Sequence, residues 1–365
     1  MAVSSSSYEG IQHGNRVDNF STSRKAAVVT DQVLTVPTLS NLLMRKGKPF
    51  SQPTLLETVK ISRTSQTQAY IGLETLNSQA TDTTIQLEFA HNAVQHAAVK
   101  VMLEHFANEG RGEDINLSKF IDQEAVAELA QELGTYFYGT GTGNKFLGLE
   151  ALVDDGTNTS TYGGQTRTTY TALNSTVTAS GGANTLAKMG VLHDTVSDAS
   201  LNQATDLLVS NFTLWSLFEQ LLQPTARNTY TYTMEGGNIK NNTSMGDGLA
   251  GRAGFTALTY RGIPYIRDKS ATSGVLYFLN TNYLAWYGRT VVPSDFKEDI
   301  TRVNMGKRSA LDATSTPPNT HGWFYQKEEM MPTQAGRLGR FHIIGQFAGF
   351  QPRRQGKLTG ITTVA

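Results

Sequence analysis

The sequence predicts an α+β fold, rich in strands and loops and served by few helices. Three observations carry that expectation. Charged residues make up only 17% of the chain while Gly, Thr, Ser and Asn abound, a composition of extended segments and turns. Alternation of period two recurs between Thr54 and Phe89 and again from Phe341 to Phe347. One segment instead repeats its apolar residues every fourth position, at Ile121, Ala125, Leu129, Leu133 and Phe137.

Taken in order, residues 1–52 read as an extended N-terminal arm. Polar residues dominate there, and Pro37, Pro49 and Pro53 interrupt any long helix. Leu39-Ser-Asn-Leu-Leu-Met44 is a candidate short helix. Residues 53–90 read as a long hairpin, two alternating strands around a polar middle with one apolar island, Ala69-Tyr-Ile-Gly-Leu73. A hairpin so poor in apolar residues cannot carry its own core and is expected to pack on another molecule. The helix over 118–138 is about 30 Å long. Asn116 and Ser118 are its candidate N-caps, and Gly139 ends it. Gly134, inside it, costs about 1 kcal/mol relative to Ala.

Residues 157–184 are Thr-, Ser- and Gly-rich and read as strands and surface loops. A helix is expected from Leu186 to Ala199, a buried strand at Asp206–Ser210, and a second helix capped by Asn211 or Thr213 and stopped by Pro224. A Gly/Asn-rich loop covers 236–254. Strands follow at 257–260, 263–267 and 275–279, then around Phe341–Phe347.

Composition narrows the function. With 31 basic and 31 acidic residues the net charge is zero, where a dedicated nucleic-acid binder would carry a basic excess. There are no cysteines, which removes disulfides, thiolate metal sites and cysteine nucleophiles together. The first residues, Met1-Ala-Val-Ser-Ser-Ser-Ser-Tyr8, lack the basic and apolar regions of a secretory leader. No apolar run reaches the roughly 18 residues of a membrane span, so no membrane partner is expected.

No chemistry-bearing motif survives inspection, so no catalytic, cofactor-binding or metal-binding residue is assigned. Gly139-Thr-Gly-Thr-Gly-Asn-Lys145 invites comparison with a phosphate loop. That loop requires a strand before it and a helix after it. Here a helix precedes, so a helix-ending turn fits better. Asp154-Asp-Gly-Thr-Asn158 lacks the spacing and closing Glu of a calcium loop. His91 and His96 are not spaced as zinc ligands. Adjacent Glu328 and Glu329 would point to opposite faces of a strand. No serine lies in GxSxG.

Helix, glycine turn and the following Leu147-Gly-Leu149 together resemble the spine-helix junction of tailed-bacteriophage major capsid proteins of the HK97 fold. Asp206-Leu-Leu-Val-Ser-Asn211 is similar to that family's strand before a helix, and Tyr260-Arg-Gly-Ile-Pro-Tyr-Ile-Arg-Asp268 to its "G-x-P-V" strand. Thr140 stands where the family often has Asp. The resemblance implies an arm (1–52), an E-loop hairpin (53–90), a peripheral P domain (91–185 and 321–365, spine helix 118–138) and an axial A domain (186–320). It implies a non-enzymatic subunit whose pentamers and hexamers tile an icosahedral shell around double-stranded DNA, in the virion, after assembly in the host cytoplasm. The implied partners are a separate scaffolding protein, a portal protein, a decoration protein and non-specifically packaged DNA.

On this reading Arg63, Tyr70, Ile71, Leu73 and Glu74 of the hairpin are candidate inter-subunit contacts. The C-terminal segment from Thr333 carries Arg337, Arg340, Arg353, Arg354 and Lys357 with no Asp or Glu. Two roles are open to these five: contact with DNA phosphates on the inner surface, or pairing with carboxylates of neighbouring subunits. Some family members are cross-linked through a hairpin lysine, but residues 64–84 contain none. Two rivals stand beside this reading: an encapsulin-like nanocompartment shell, and a secreted β-rich binding module.

Overall fold

The computed structural model describes residues 37–63, 67–76, 82–103, 117–198, 204–222, 232–235, 238–241, 258–289, 322–331 and 335–364. The arm before Pro37, the candidate cap Asn116 and most of the 236–254 loop lie outside the described residues.

The chain enters through helix α1 (Thr38–Arg45) and strand β1 (Lys48–Phe50). Strands β2 (Thr54–Lys60) and β3 (Thr84–Ala90) form the hairpin, and β4 (Asn92–Val101) leads toward the spine helix α2 (Leu117–Phe137). Helix α3 (Leu149–Leu152), a ribbon of β5 (Thr161–Tyr162) and β6 (Gln165–Thr166), and β7 (Thr176–Asn184) follow. Next come α4 (Leu186–Asp198), β8 (Leu207–Ser210), α5 (Phe212–Leu222) and the pair β9 (Tyr232–Glu235) and β10 (Asn238–Asn241). The remainder is strand: β11 (Leu258–Tyr260), β12 (Ile263–Arg267), β13 (Leu276–Leu279), β14 (Leu284–Arg289), β15 (Trp323–Met330), β16 (Gly336–Gly349) and β17 (Gly356–Val364).

Two sheets organise these elements. In the first, β16 pairs with β15 and β4 along its length and with β14 at its end, and β14 pairs in parallel with β1. The second runs β11-β12-β8-β13-β17-β7 and is covered by α4 and α5. Strands at 176–184 and 356–364, placed with the P domain from the sequence, lie in the second sheet, while 284–289 lies in the first.

The apolar stripe of α2 is buried as its spacing demands, from Ile121 at 4% exposed to Phe137 at 0%. At its C-terminus four rings from four elements meet. Phe137 lies 5.2 Å from Phe146, 5.6 Å from Trp286 and 5.2 Å from Phe347, and Phe146 lies 5.1 Å from Trp286. Such pairs contribute about 0.5–1.5 kcal/mol each beyond their buried area. Asn211 caps α5, its Oδ1 accepting the Leu214 N–H at 2.9 Å.

The arm is shorter than its polarity suggested. Leu39 and Leu43, one turn apart on α1, are buried in the main core. The Asp268 carboxylate accepts the Leu39 N–H at 2.9 Å and so caps α1 from across the fold. Residues 37–50 thus belong to the subunit body. Gly134 explains itself here, because a Cβ on it would meet Pro37 Cβ at 2.4 Å. The glycine that weakens α2 is what lets α1 approach. Residues 157–184 hold the expected strands and exposed turns, but Tyr162, Arg167, Leu173 and Ser175 among them are buried. Within 236–254, Asn238–Asn241 is strand, paired with β9.

Two substitutions check this packing. Leu133→Ala should cost about 2–5 kcal/mol, and a loss of only a few tenths in urea denaturation would contradict its burial. Gly134→Ala should lower the denaturation midpoint, since overpacking costs of about 1–3 kcal/mol exceed the gain of about 1 kcal/mol in helix propensity. A midpoint at or above that of the wild type would contradict the Pro37 contact.

Candidate functional site

The candidate contact residues sit on and around the hairpin, so what holds the hairpin in place comes first. Its base is anchored by β3, where Leu87 and Phe89 are buried. Phe89 packs edge-on against Tyr162 at 5.2 Å. The Glu88 N–H donates to the Gly163 carbonyl at 3.0 Å, and Gln165 Nε2 donates to the Gln86 carbonyl at 3.0 Å. The β5–β6 ribbon, which sequence reading placed on the surface, is therefore the bracket that fixes the hairpin to the body.

Beyond that bracket the hairpin carries apolar residues into solvent. Tyr70 is 61% exposed, Ile71 90% and Leu73 108%, with Arg63 and Glu74 exposed beside them. Few isolated subunits leave such residues uncovered on one short segment.

The five basic C-terminal residues divide into three groups. Arg337 and Arg340 lie on β16, where Arg340 donates to Gln326 Oε1 at 3.4 Å. Arg353 is exposed, and Arg354 stacks on Tyr283 with its guanidinium 4.3 Å from the ring centre. Lys357 is a correction. It is buried, and its Nζ lies 3.6 Å from Asp154 Oδ1, so it faces neither DNA nor a neighbour. Alternation on β17 turns Lys357 inward, and the carboxylate that makes this tolerable is 203 positions away in sequence. The structure also joins what the sequence kept apart. Arg63, Arg353 and Arg354 line one cleft of about 870 Å³ between the hairpin base and the segment Phe350–Arg354.

Asp154 organises the junction behind that cleft. Its buried carboxylate accepts the N–H groups of Gly156, Asn158 and Thr159 at 3.0, 3.1 and 2.9 Å, and Asn158 Nδ2 at 3.2 Å. Burial opposes ionisation, but the Thr159 N–H, the Lys357 ammonium and the N–H groups of Gly156 and Asn158 outweigh it. Together they hold the carboxyl below the usual carboxylate range. These donors make the segment a turn, as expected, rather than a calcium loop. Arg167 completes the junction. Its guanidinium donates to the carbonyls of Ala151 at 2.6 Å, Leu152 at 3.2 Å and Asp154, and lies 5.0 Å from the Tyr162 ring centre.

The glycine turn behaves as a helix stop. The Gly139 N–H donates to the Tyr136 carbonyl at 3.0 Å, and Lys145 lies over the Tyr136 ring at 4.6 Å. A Cβ on Gly148 would strike the carbonyl oxygens of Gly139 and Tyr136 at 2.5 Å, so the Leu147–Leu149 segment docks directly on the helix end. His91 is held between the Pro53 carbonyl, 2.6 Å from Nδ1, and Arg289, 2.8 Å from Nε2. His96 meets Glu128 at 3.1 Å instead. Among the described residues no group of three or more His, Asp or Glu side chains is placed to hold a metal ion, and no helix is long and apolar enough to cross a membrane. The side chains of Glu328 and Glu329 lie outside the described residues.

No family model and no curated protein matches the sequence. Solved structures do match the fold. The capsid asymmetric unit of cyanophage A-1(L) aligns over 93% of this chain and 97% of its own, with a TM-score of 0.61 at 15% identity. An encapsulin complex from Synechococcus elongatus aligns over 93% and 95%, with 0.54 at 10% identity. The capsid of Myoviridae phage XM1 aligns over 94% and 98%, with 0.50 at 11% identity. The fold is α+β and of the phage-capsid, HK97-like type. That architecture is shared by phage heads and encapsulins, and it replaces the secreted β-rich module weighed from composition.

The Asp154 junction gives a pH prediction. A carboxyl whose folded pKa is depressed contributes stability that is complete above its unfolded pKa of about 3.9. That stability falls away as pH drops through the lower, folded value. Asp154→Ala should cost about 3–5 kcal/mol at pH 7, because it strands buried Lys357. Its deficit should shrink as pH falls below 4. A variant gap independent of pH in thermal unfolding would contradict the ionised carboxylate.

Proposed function

We propose that this chain is the major capsid protein of a tailed phage. It forms pentamers and hexamers that close into an icosahedral shell around double-stranded DNA, and it acts structurally, without catalysis. The observation that carries the reading is the alignment of nearly the whole chain with a phage capsid subunit, joined to an exposed apolar hairpin. In this reading Arg63, Tyr70, Ile71, Leu73 and Glu74 cover a neighbouring subunit. Arg337, Arg340 and Arg353 supply contacts to neighbours or to packaged DNA.

A scaffolding protein, a portal protein and a decoration protein complete the proposed assembly, which forms in the host cytoplasm and ends in the virion. Encapsulin-type shells share the fold. The phage reading is preferred on its higher structural similarity.

Electron microscopy of the full-length protein, expressed alone and with a scaffolding protein, tests the proposal. Closed, uniform particles are the expected result, and a chain that stays monomeric in both would overturn it. Residues 64–84 contain no lysine, so the shell should hold without hairpin isopeptide bonds. Boiled particles should run on a denaturing gel as one band near 39.8 kDa, where a ladder of covalent multimers would contradict this.

A further inference from the structure

The root of the hairpin is tied to the body by two different kinds of contact. One is the bracket of β5 and β6, built from backbone hydrogen bonds and the Phe89–Tyr162 ring contact. The other is His91, at the corner between β3 and β4. Its half-buried ring bridges the carbonyl of Pro53, just before β2, and Arg289, the last residue of β14. Phe50 of β1 meets the same ring edge-to-face, with centroids 6.1 Å apart.

Donor and acceptor roles fix the state of this imidazole. A guanidinium can only donate, so Nε2, 2.8 Å from Arg289 Nη1, accepts with its lone pair. A carbonyl can only accept, so Nδ1, 2.6 Å from the Pro53 oxygen, carries the ring hydrogen. The ring is neutral and in one tautomer, and both partners are satisfied. A proton added at Nε2 sets N–H against N–H and brings two cations into contact. Among the described residues no carboxylate pairs with His91 to relieve them. Glu128 is taken by His96 at 3.1 Å and Asp122 by Lys100 at 3.0 Å, while Glu57 and Glu88 are exposed on the hairpin strands. Lys48 of β1, over the Tyr287 ring at 5.8 Å, adds further positive charge.

We propose that His91 is a proton-operated clamp on the hairpin root. Neutral, it holds Pro53 against the end of β14. Protonated, it loses the Arg289 bond, and the bracket alone holds the hairpin. The hairpin angle then varies while the body stays folded, because buried Leu87 and Phe89 keep their places in the core. Imidazole is the side chain that changes charge between about pH 5 and 8, so mild acid is the signal. The clamp is a property of the single subunit and does not depend on the shell reading.

The full-length subunit tests it, and the absence of cysteine allows labels to be placed one pair at a time. Spin labels at Leu73→Cys on the hairpin and Val191→Cys on α4, both exposed, report the distance between hairpin and body. The distance distribution should be narrow at about pH 8 and broaden at about pH 5. His91→Gln does not titrate, and Arg289→Met removes the opposing cation, so each should abolish the acid response. A wild-type distribution that ignores acid, or an acid response that survives either substitution, overturns the proposal. Nitrogen NMR of the wild-type ring supplies a readout that no substitution can disturb. At about pH 8 the hydrogen should sit on Nδ1, and finding it on Nε2 would overturn the clamp as well.

Discussion

The fold depends on the contact of four aromatic rings at the end of the spine helix. Phe137 belongs to the helix, Phe146 to the glycine turn, Trp286 to β14 and Phe347 to β16. These segments are scattered over 210 positions of sequence, and none can bury its ring without the others. Once they meet, the glycine turn is pinned against the helix end. The segment behind it then delivers Asp154 to its buried place between Lys357 and the backbone of residues 156–159. The first core and the second sheet are joined at that carboxylate. Removal of a ring would open the apolar centre, and removal of the carboxylate would leave a buried cation in the seam between the two units.

Local patterns in the sequence revealed elements well and their partners poorly. The four-residue spacing from Ile121 to Phe137 identified the spine helix and its buried face, and alternation found both strands of the hairpin. Those signals are carried by neighbouring residues and need no knowledge of the fold. Arg167 shows the opposite case. In a Thr- and Gly-rich stretch it looks like a surface residue, and only the carbonyls of Ala151, Leu152 and Asp154, brought to it by folding, make its burial possible. Lys357 misled for the same reason. Gly134 read as a local defect, while its function lies in the passage of Pro37 beside it.

The candidate site was legible as a list of residue types and illegible as a place. That the hairpin tip is apolar and exposed follows from Tyr70, Ile71 and Leu73 standing in a polar segment with no core to join. That Arg63 shares a cleft with Arg353 does not, because the two are separated by nearly the whole chain. The structure also separates folding from contact with other molecules. The body closes its core around α2 and the two sheets, and the hairpin is attached by a small bracket of β5 and β6. Residues beyond that bracket can vary in chemistry without disturbing the core, so partner choice is free to change while the scaffold stays fixed.

The capping of α1 by Asp268 has a consequence in time. The acceptor lies 229 residues downstream of Leu39, and β1 pairs with β14, which is made later still. At ordinary synthesis rates of about 5–20 residues per second, the N-terminal segment waits roughly 10–50 s for its partners to leave the ribosome. Until then Leu39 and Leu43 have no native site to enter. Helix α1 and strand β1 are therefore secured only after residues 268–289 have been made, and a product truncated before them cannot seat these elements. The position of one aspartate thus delays the docking of α1 until about three quarters of the chain has been made.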